Sequence, residues 1–208
     1  LFPYTTLFRS IHKAGFYGMD LYSLFTSIDS VIEYLDSVDP DAANRARDRF
    51  GCFEQGSRGQ NNRDAQVYGR NAAMGMSQSC EDAVLSQLNE MQNERFKQEC
   101  ANGDEFFSAQ LNALLVKDAE NYYRGMFLGD EPSWNLRDQH MANTVHELIG
   151  YIEHRKREAA SSGGGGNTEN IHARLVLWAH NSHLGDARAT EMSTQRGELN
   201  VGQLMRQD

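Results

Sequence analysis

The sequence predicts an α/β protein, helix-rich, with a few core strands flanked by long helices. Three observations predict it. Residues 174–179, Arg-Leu-Val-Leu-Trp-Ala, form a short apolar run that stops at His180, Asn181, His183 and Asp186. That is the pattern of an inner strand whose carboxyl end opens on a ligand site. Residues 15–20, Gly-Phe-Tyr-Gly-Met-Asp, form a second such run, with Asp20 at its carboxyl end and glycines that permit close backbone approach. Around these runs, apolar residues recur at helical spacing.

A chain of 208 residues is long enough for one domain with a substantial core. The formal net charge of -9 argues against nucleic acid as a partner, because phosphate binding needs clustered Lys and Arg. No stretch approaches the roughly eighteen apolar residues of a membrane helix, so no membrane partner is expected. Nothing resembles a secretory signal. Cys52, Cys80 and Cys100 are odd in number and widely spaced, which suggests neither a disulfide framework nor a zinc ribbon. Free thiols in a cytoplasmic protein are the expectation.

Residues 1–10, LFPYTTLFRS, resemble translated adapter sequence and are read as non-native, which leaves 11–208 as the domain. From Leu24, the spacing of Phe25, Ile28, Ile32 and Leu35 predicts a helix that stops before Pro40. Asp39 or Asp41 can cap a short helix through Ala42 to Phe50. Residues 51–62, rich in Gly, Gln, Ser and Asn, predict a surface loop. A helical stretch runs from about Asp64 to Cys100, broken near Gly75, and Ala101-Asn102-Gly103-Asp104 predicts a turn and a cap. The next helix, from Asp104 to Phe127, carries Phe107, Leu111, Leu114, Leu115, Tyr122 and Met126 on one side. Another runs from Ser133 to about Ala160. Residues 161–167, Ser-Ser-Gly-Gly-Gly-Gly-Asn, predict a flexible tether. They lack the Gly-Lys-Ser/Thr ending of a phosphate-binding loop and follow a helix, not a strand. Val201 to Arg206 predicts a last helix.

The helix from Ser133 has charges on its inward side. At about 100° per residue, Trp134, Met141, Val145, Leu148 and Ile152 share a narrow arc. Arg137 and Asp138 fall on its two flanks, while His140 falls about 120° from Trp134. Burying an unpaired charge costs several kcal/mol, so Arg137 and Asp138 must pair or face a polar pocket. They form a structural ion pair, or they line a site. In a site, Arg137 can hold an anionic group or stabilise an oxyanion, and Asp138 can orient a histidine.

Three chemistries fit His180, Asn181, His183 and Asp186. A histidine can act as general base toward water while the other groups stabilise developing charge. His180, His183 and Asp186 can bind a metal, although His-x-x-His alone is not the helical zinc-protease motif. Or the polar groups merely satisfy backbone atoms at a strand end. Ser182 is not in a Gly-x-Ser-x-Gly elbow, and no cysteine has an evident activating context.

Three segments, residues 14–36, 121–148 and 175–206, resemble the erythromycin esterase family of bacterial hydrolases. The Trp-Asn-x-Arg-Asp-x-x-Met run from Trp134 and the Trp-Ala-His-Asn-x-His run from Trp178 are the specific signatures. The resemblance implies an α/β core surrounded by helices. It also implies histidine-assisted attack of water on an ester or macrolactone, with no covalent intermediate, metal or cofactor, and a role in macrolide antibiotic resistance. By that analogy His180, His183 and Arg137 are catalytic, and Asp20, Asp138 and Asn181 orient groups or bind substrate. One departure stands out. The family's general base lies in a His-Gly-x-x-Glu segment near the N-terminus, and this chain has no His-Gly; His12 is followed by Lys13. The sequence therefore predicts an internal piece of an esterase, inactive alone, lacking the N-terminal catalytic segment and a C-terminal strand. The alternatives are a non-catalytic helical binding or scaffold domain, and a metal-dependent hydrolase using His180, His183 and Asp186.

Overall fold

A computed structural model of the chain describes residues 15–54, 63–93, 95–128, 133–162 and 171–207. It contains nine α-helices among the described residues: α1 Leu24–Val38, α2 Pro40–Phe50, α3 Ala65–Ala73, α4 Glu81–Asn93, α5 Arg95–Leu128, α6 Ser133–Ser162, α7 Asn181–Leu184, α8 Glu191–Arg196 and α9 Val201–Leu204. The chain divides into two compact units, with the division falling inside α6: Asp20–Arg137 belongs to the first, and residues 15–19 and those from Asp138 onward belong to the second. The segment read as non-native and the Gly-rich tether from Gly163 lie outside the described residues.

The expected α/β class is overturned: no strand occurs among the described residues, and the architecture is all-helical. Neither predicted inner strand has a ladder. Residues 15–18 are exposed and irregular. Along 171–180, side chains alternate between half-buried and exposed, the period-2 pattern of an extended backbone. Val176 and Trp178 are 94% exposed. The segment is held by side chains of α6: Lys156 Nζ donates to the His172 carbonyl at 2.7 Å, and Ala173 N–H donates to Glu153 Oε1 at 3.3 Å. An apolar run reports that a backbone can extend; a strand also needs a neighbour to exchange hydrogen bonds with, and the run does not encode one.

In the first unit, α5 is the axis. It packs against α1, α3 and α4. Phe106, Leu111, Leu115, Val116, Ala119, Tyr122 and Tyr123 are all buried on it, so it is apolar around most of its circumference, as an enclosed helix must be. The helix also runs straight through the turn expected at residues 101–104. A glycine inside a helix costs only about 1 kcal/mol relative to Ala, and the buried residues that follow outweigh it. α1 buries Leu24, Ile28, Val31 and Leu35, with Phe25 and Ile32 half-buried beside them. Asp39 begins α2: its carboxylate accepts from the Asp41 and Ala42 N–H groups at 3.1 and 3.0 Å, with Pro40 in the first turn. Asp64 caps α3 in the same way.

Two features tie α3 and α4 to α5. A Cβ on Gly69 would lie 2.3 Å from the Tyr123 carbonyl oxygen, so only glycine lets these backbones approach so closely. Glu120, buried on α5, accepts hydrogen bonds from Tyr68 Oη at 2.8 Å, Ser79 Oγ at 2.9 Å and Arg124 Nε at 3.0 Å. Tyr68 Oη in turn accepts from Cys80 N–H at 2.8 Å. The free thiols expected at Cys52 and Cys80 are also overturned: the two are joined in a disulfide with Cα atoms 5.8 Å apart. The 3-10 turn Gly51–Glu54, within the predicted loop, carries Cys52 to the start of α4. Closing a loop of 28 residues constrains the unfolded chain by about 3–4 kcal/mol.

In the second unit, α6 buries Met141, Ala142, Val145 and Leu148. His140, placed by helical periodicity away from that arc, is buried as well. Short helices α7, α8 and α9 follow the extended segment, and Gly197, in left-handed backbone at φ 64°, ends α8.

Two predictions arise from this packing. Gly69→Ala forces α3 off α5 and lowers unfolding free energy by about 1–3 kcal/mol, read by denaturant titration. Burial pushes the Tyr34 and Tyr123 phenols up to about 12 from 10.0. The folded state therefore favours the neutral phenol, and its contribution is complete below pH 10 and lost as pH rises through about 12. Phenolate absorbance in an alkaline titration will lag behind that of the unfolded chain, and stability will fall across that window.

Candidate functional site

The charged pair read from the periphery of the α6 arc separates at the unit boundary. Arg137 ends the part of α6 in the first unit, and Asp138 begins the part in the second. Their environments differ.

In the first unit, Arg137 grips Asp20 side-on: Nε donates to Oδ1 at 2.9 Å and Nη2 to Oδ2 at 2.7 Å. This two-pronged contact is the strong form of an arginine–carboxylate pair. Asp20 Oδ1 also accepts the Leu21 N–H at 2.9 Å, so the carboxylate is fixed at the start of the turn leading into α1. The Arg137 guanidinium lies over the Tyr22 ring, 4.6 Å from its centroid. Tyr22, 48% exposed, meets Tyr122 edge-on at 6.0 Å, with hydroxyls 3.4 Å apart. The Asp20 contact, foremost, raises the Arg137 pKa above its ordinary value, so the group is a fixed cation. Asp20 and Arg137, assigned separately from sequence, are thus direct partners. Tyr122 was read from sequence only as part of the apolar side of its helix, and Tyr22 was not singled out.

In the second unit, Asp138 is 0% exposed. A bare carboxylate there would cost several kcal/mol. Its oxygens each lie 2.9 Å from His183 Nδ1, and Oδ1 also accepts the Val201 N–H at 3.0 Å. Because an ionised carboxylate only accepts, Nδ1 of His183 carries the proton. In the neutral ring, Nε2 then carries the lone pair. His183 is itself buried and sits in α7.

His180 has the opposite arrangement. It is the N-cap of α7, and its Nδ1 accepts the Ser182 N–H at 3.3 Å, with Ser182 Oγ at 2.8 Å. That leaves the proton of the neutral ring on Nε2, at an exposed side chain. Two histidines three positions apart therefore present unlike Nε2 atoms, one a donor and one an acceptor. Asn181 is exposed at the first position of α7.

The floor beneath this segment is a set of backbone contacts. Asn200, buried at the N-cap of α9, accepts from Gln203 N–H at 2.9 Å and Ala187 N–H at 3.3 Å and donates to the Ser182 carbonyl at 3.0 Å. A Cβ on Gly202 would lie 2.1 Å from the Gly185 carbonyl oxygen and 2.3 Å from that of Leu184. Glycine thus seats α9 against the end of α7, which places the Val201 N–H on Asp138. Asn200 directly before an apolar turn is an N-cap signal in the sequence; the Val201 contact has no such signal.

Asp186 is engaged elsewhere. It caps the 3-10 turn Ala187–Ala189 and pairs side-on with Arg188 at 2.9 and 2.6 Å, which pushes its carboxyl down to about 2. His180, His183 and Asp186 thus have three different partners, and no group of three His, Cys, Asp or Glu among the described residues is placed to hold a metal. No helix among them is long and apolar enough to cross a membrane.

The sequence model of the family described as Erythromycin esterase matches residues 7–208. No solved structure matches the chain.

The close approach of α9 generates a prediction. Gly202→Ala displaces α9 and withdraws the Val201 amide from Asp138. Stability falls by about 1–3 kcal/mol, and amide exchange at Val201 quickens more than at residues of α5.

Proposed function

The chain belongs to the erythromycin esterase family, whose membership implies a hydrolase, and we propose that the reaction is water attack on a carboxylic ester, macrolactones included. The observation that carries this reading is the buried His183–Asp138 pair. The resemblance puts the general base in a His-Gly-x-x-Glu segment that this chain does not carry; among the chain's own residues the candidate is His183, where Asp138 holds the proton on Nδ1 and steadies the imidazolium that forms when Nε2 takes a proton from water. The hydroxide equivalent adds to the ester carbonyl carbon, and the carbonyl electrons move to oxygen. His180, with its proton on Nε2, is a donor suited to polarise that oxygen or hold the developing charge. The tetrahedral intermediate collapses with loss of the alkoxide, which takes the proton from His183. In the first unit Arg137, fixed by Asp20 and backed by Tyr22, is a cation of the kind that holds an acceptor oxygen, and its catalytic assignment rests on the family resemblance. Asn181 serves as a polar contact for substrate at the start of α7.

Family membership supports a small-molecule ester as the proposed substrate class, with a macrolide as the leading candidate and antibiotic inactivation as the consequence. His180, His183 and Asp186 are each tied to a different partner, which favours acid–base hydrolysis over the metal-dependent alternative.

The test uses the product of the complete reading frame, assayed on an aryl ester, a simple lactone and an erythromycin-type macrolide. Ring opening adds one water to the macrolide mass. His183→Ala lowers kcat/KM by about 10²–10⁴-fold, and His180→Ala lowers kcat by about 10²–10³-fold. Dialysis against a chelator leaves the rate unchanged. If both variants lose only stability and turn over esters at the parent rate, the scaffold reading wins.

A further inference from the structure

Cys52 and Cys80 lie 28 residues apart in sequence and have no part in the hydrolytic chemistry. Catalytic disulfides sit in accessible, electropositive places, because exchange needs an attackable sulfur and a stabilised thiolate. This one does not. Cys80 is 0% exposed. Its backbone N–H is bound by Tyr68 Oη, which itself donates to the buried Glu120 carboxylate. On the other side, Phe53, next to Cys52, is 3% exposed and packs against Tyr68 at a tilt, with ring centroids 4.7 Å apart. Each cysteine backbone is therefore positioned by its own non-covalent contacts, and those contacts bring the two Cα atoms to 5.8 Å, within the ordinary span of a disulfide.

We infer that Cys52–Cys80 is a permanent structural cross-link and that this chain is built to mature in an oxidising compartment, contrary to the cytoplasmic expectation. Two thiols give up two electrons and two protons. Both pass to a disulfide oxidant, such as a thiol–disulfide oxidoreductase or glutathione disulfide, which leaves as two thiols while the Sγ–Sγ bond forms. The bond joins the turn after α2 to the start of α4 and closes a loop that contains α3, so its loss loosens the side of the first unit that packs on α5. Cys100, the third cysteine, is left as the odd thiol. The inference is independent of the hydrolase reading, and its test involves no ester.

The full chain is produced twice, once exported to the periplasm of the expression host and once retained in its cytoplasm. Each sample is denatured, alkylated with and without prior reduction, and read by intact mass and peptide mapping. The exported chain is expected to take up one alkyl group before reduction and three after, with a linked Cys52–Cys80 peptide pair. Reduction lowers its melting temperature by roughly 5–15 °C. The Cys52→Ser/Cys80→Ser variant and the cytoplasmic chain melt at the lower temperature, and the variant does not respond to reductant. Three alkyl groups on the unreduced exported chain would overturn the inference. So would a reduced cytoplasmic chain that melts with the exported one.

Discussion

The second unit is organised by one buried charge. Asp138 has no exposure to water, and a carboxylate so placed must be surrounded by donors. The chain supplies them from two places far apart in sequence, the His183 ring and the Val201 amide. To bring His183 there, residues 181–184 coil into a short helix capped by His180. To bring the Val201 amide there, α9 must press against the end of α7, which requires glycine at position 202. Asn200 then bridges the two turns. The same burial that costs free energy for the ion fixes the tautomer of His183, so folding and chemistry share one constraint. Glu120 plays the corresponding part in the first unit, where a buried carboxylate gathers Tyr68, Ser79 and Arg124.

Features that depend on local periodicity were legible in the sequence. The apolar spacing of α1, the cap of α2, expected at Asp39 or Asp41 and found at Asp39, and the span of α6 follow from residues within a turn or two of one another. The inward direction of Asp138 follows from about 100° of rotation per residue. What depends on a distant partner was not legible. Leu175, Leu177 and their neighbours carry strand periodicity, yet the described residues offer no strand to pair with. The turn at Asn102-Gly103 is overridden by Phe106 and Phe107, whose burial is a property of α5 in its surroundings. The Cys52–Cys80 bond spans a gap that no spacing rule identifies. Of the site, the sequence named the histidines, Arg137, Asp138 and Asp20. It paired Asp138 with a histidine only as one option, and it did not find the Val201 amide or the tyrosines beside Arg137.

Arg137 and Asp138 are chain neighbours with different fates. Arg137 is a permanent cation, neutralised by Asp20 and stacked on Tyr22. Asp138 is an acceptor for an imidazole. His180 and His183 are the converse: near-identical groups made chemically distinct by what each Nδ1 touches. That difference lets one imidazole act as donor and the other as acceptor without a metal to distinguish them.

The difference between the two histidines therefore comes down to the placement of two protons. Nitrogen-15 correlation spectra of the imidazole rings, taken at a pH where both are neutral, distinguish the tautomers directly. The proton is expected on Nδ1 in His183 and on Nε2 in His180, with the His183 pattern lost in Asp138→Ala. Both rings in the Nε2–H form, or a His183 pattern indifferent to Asp138, would contradict this placement.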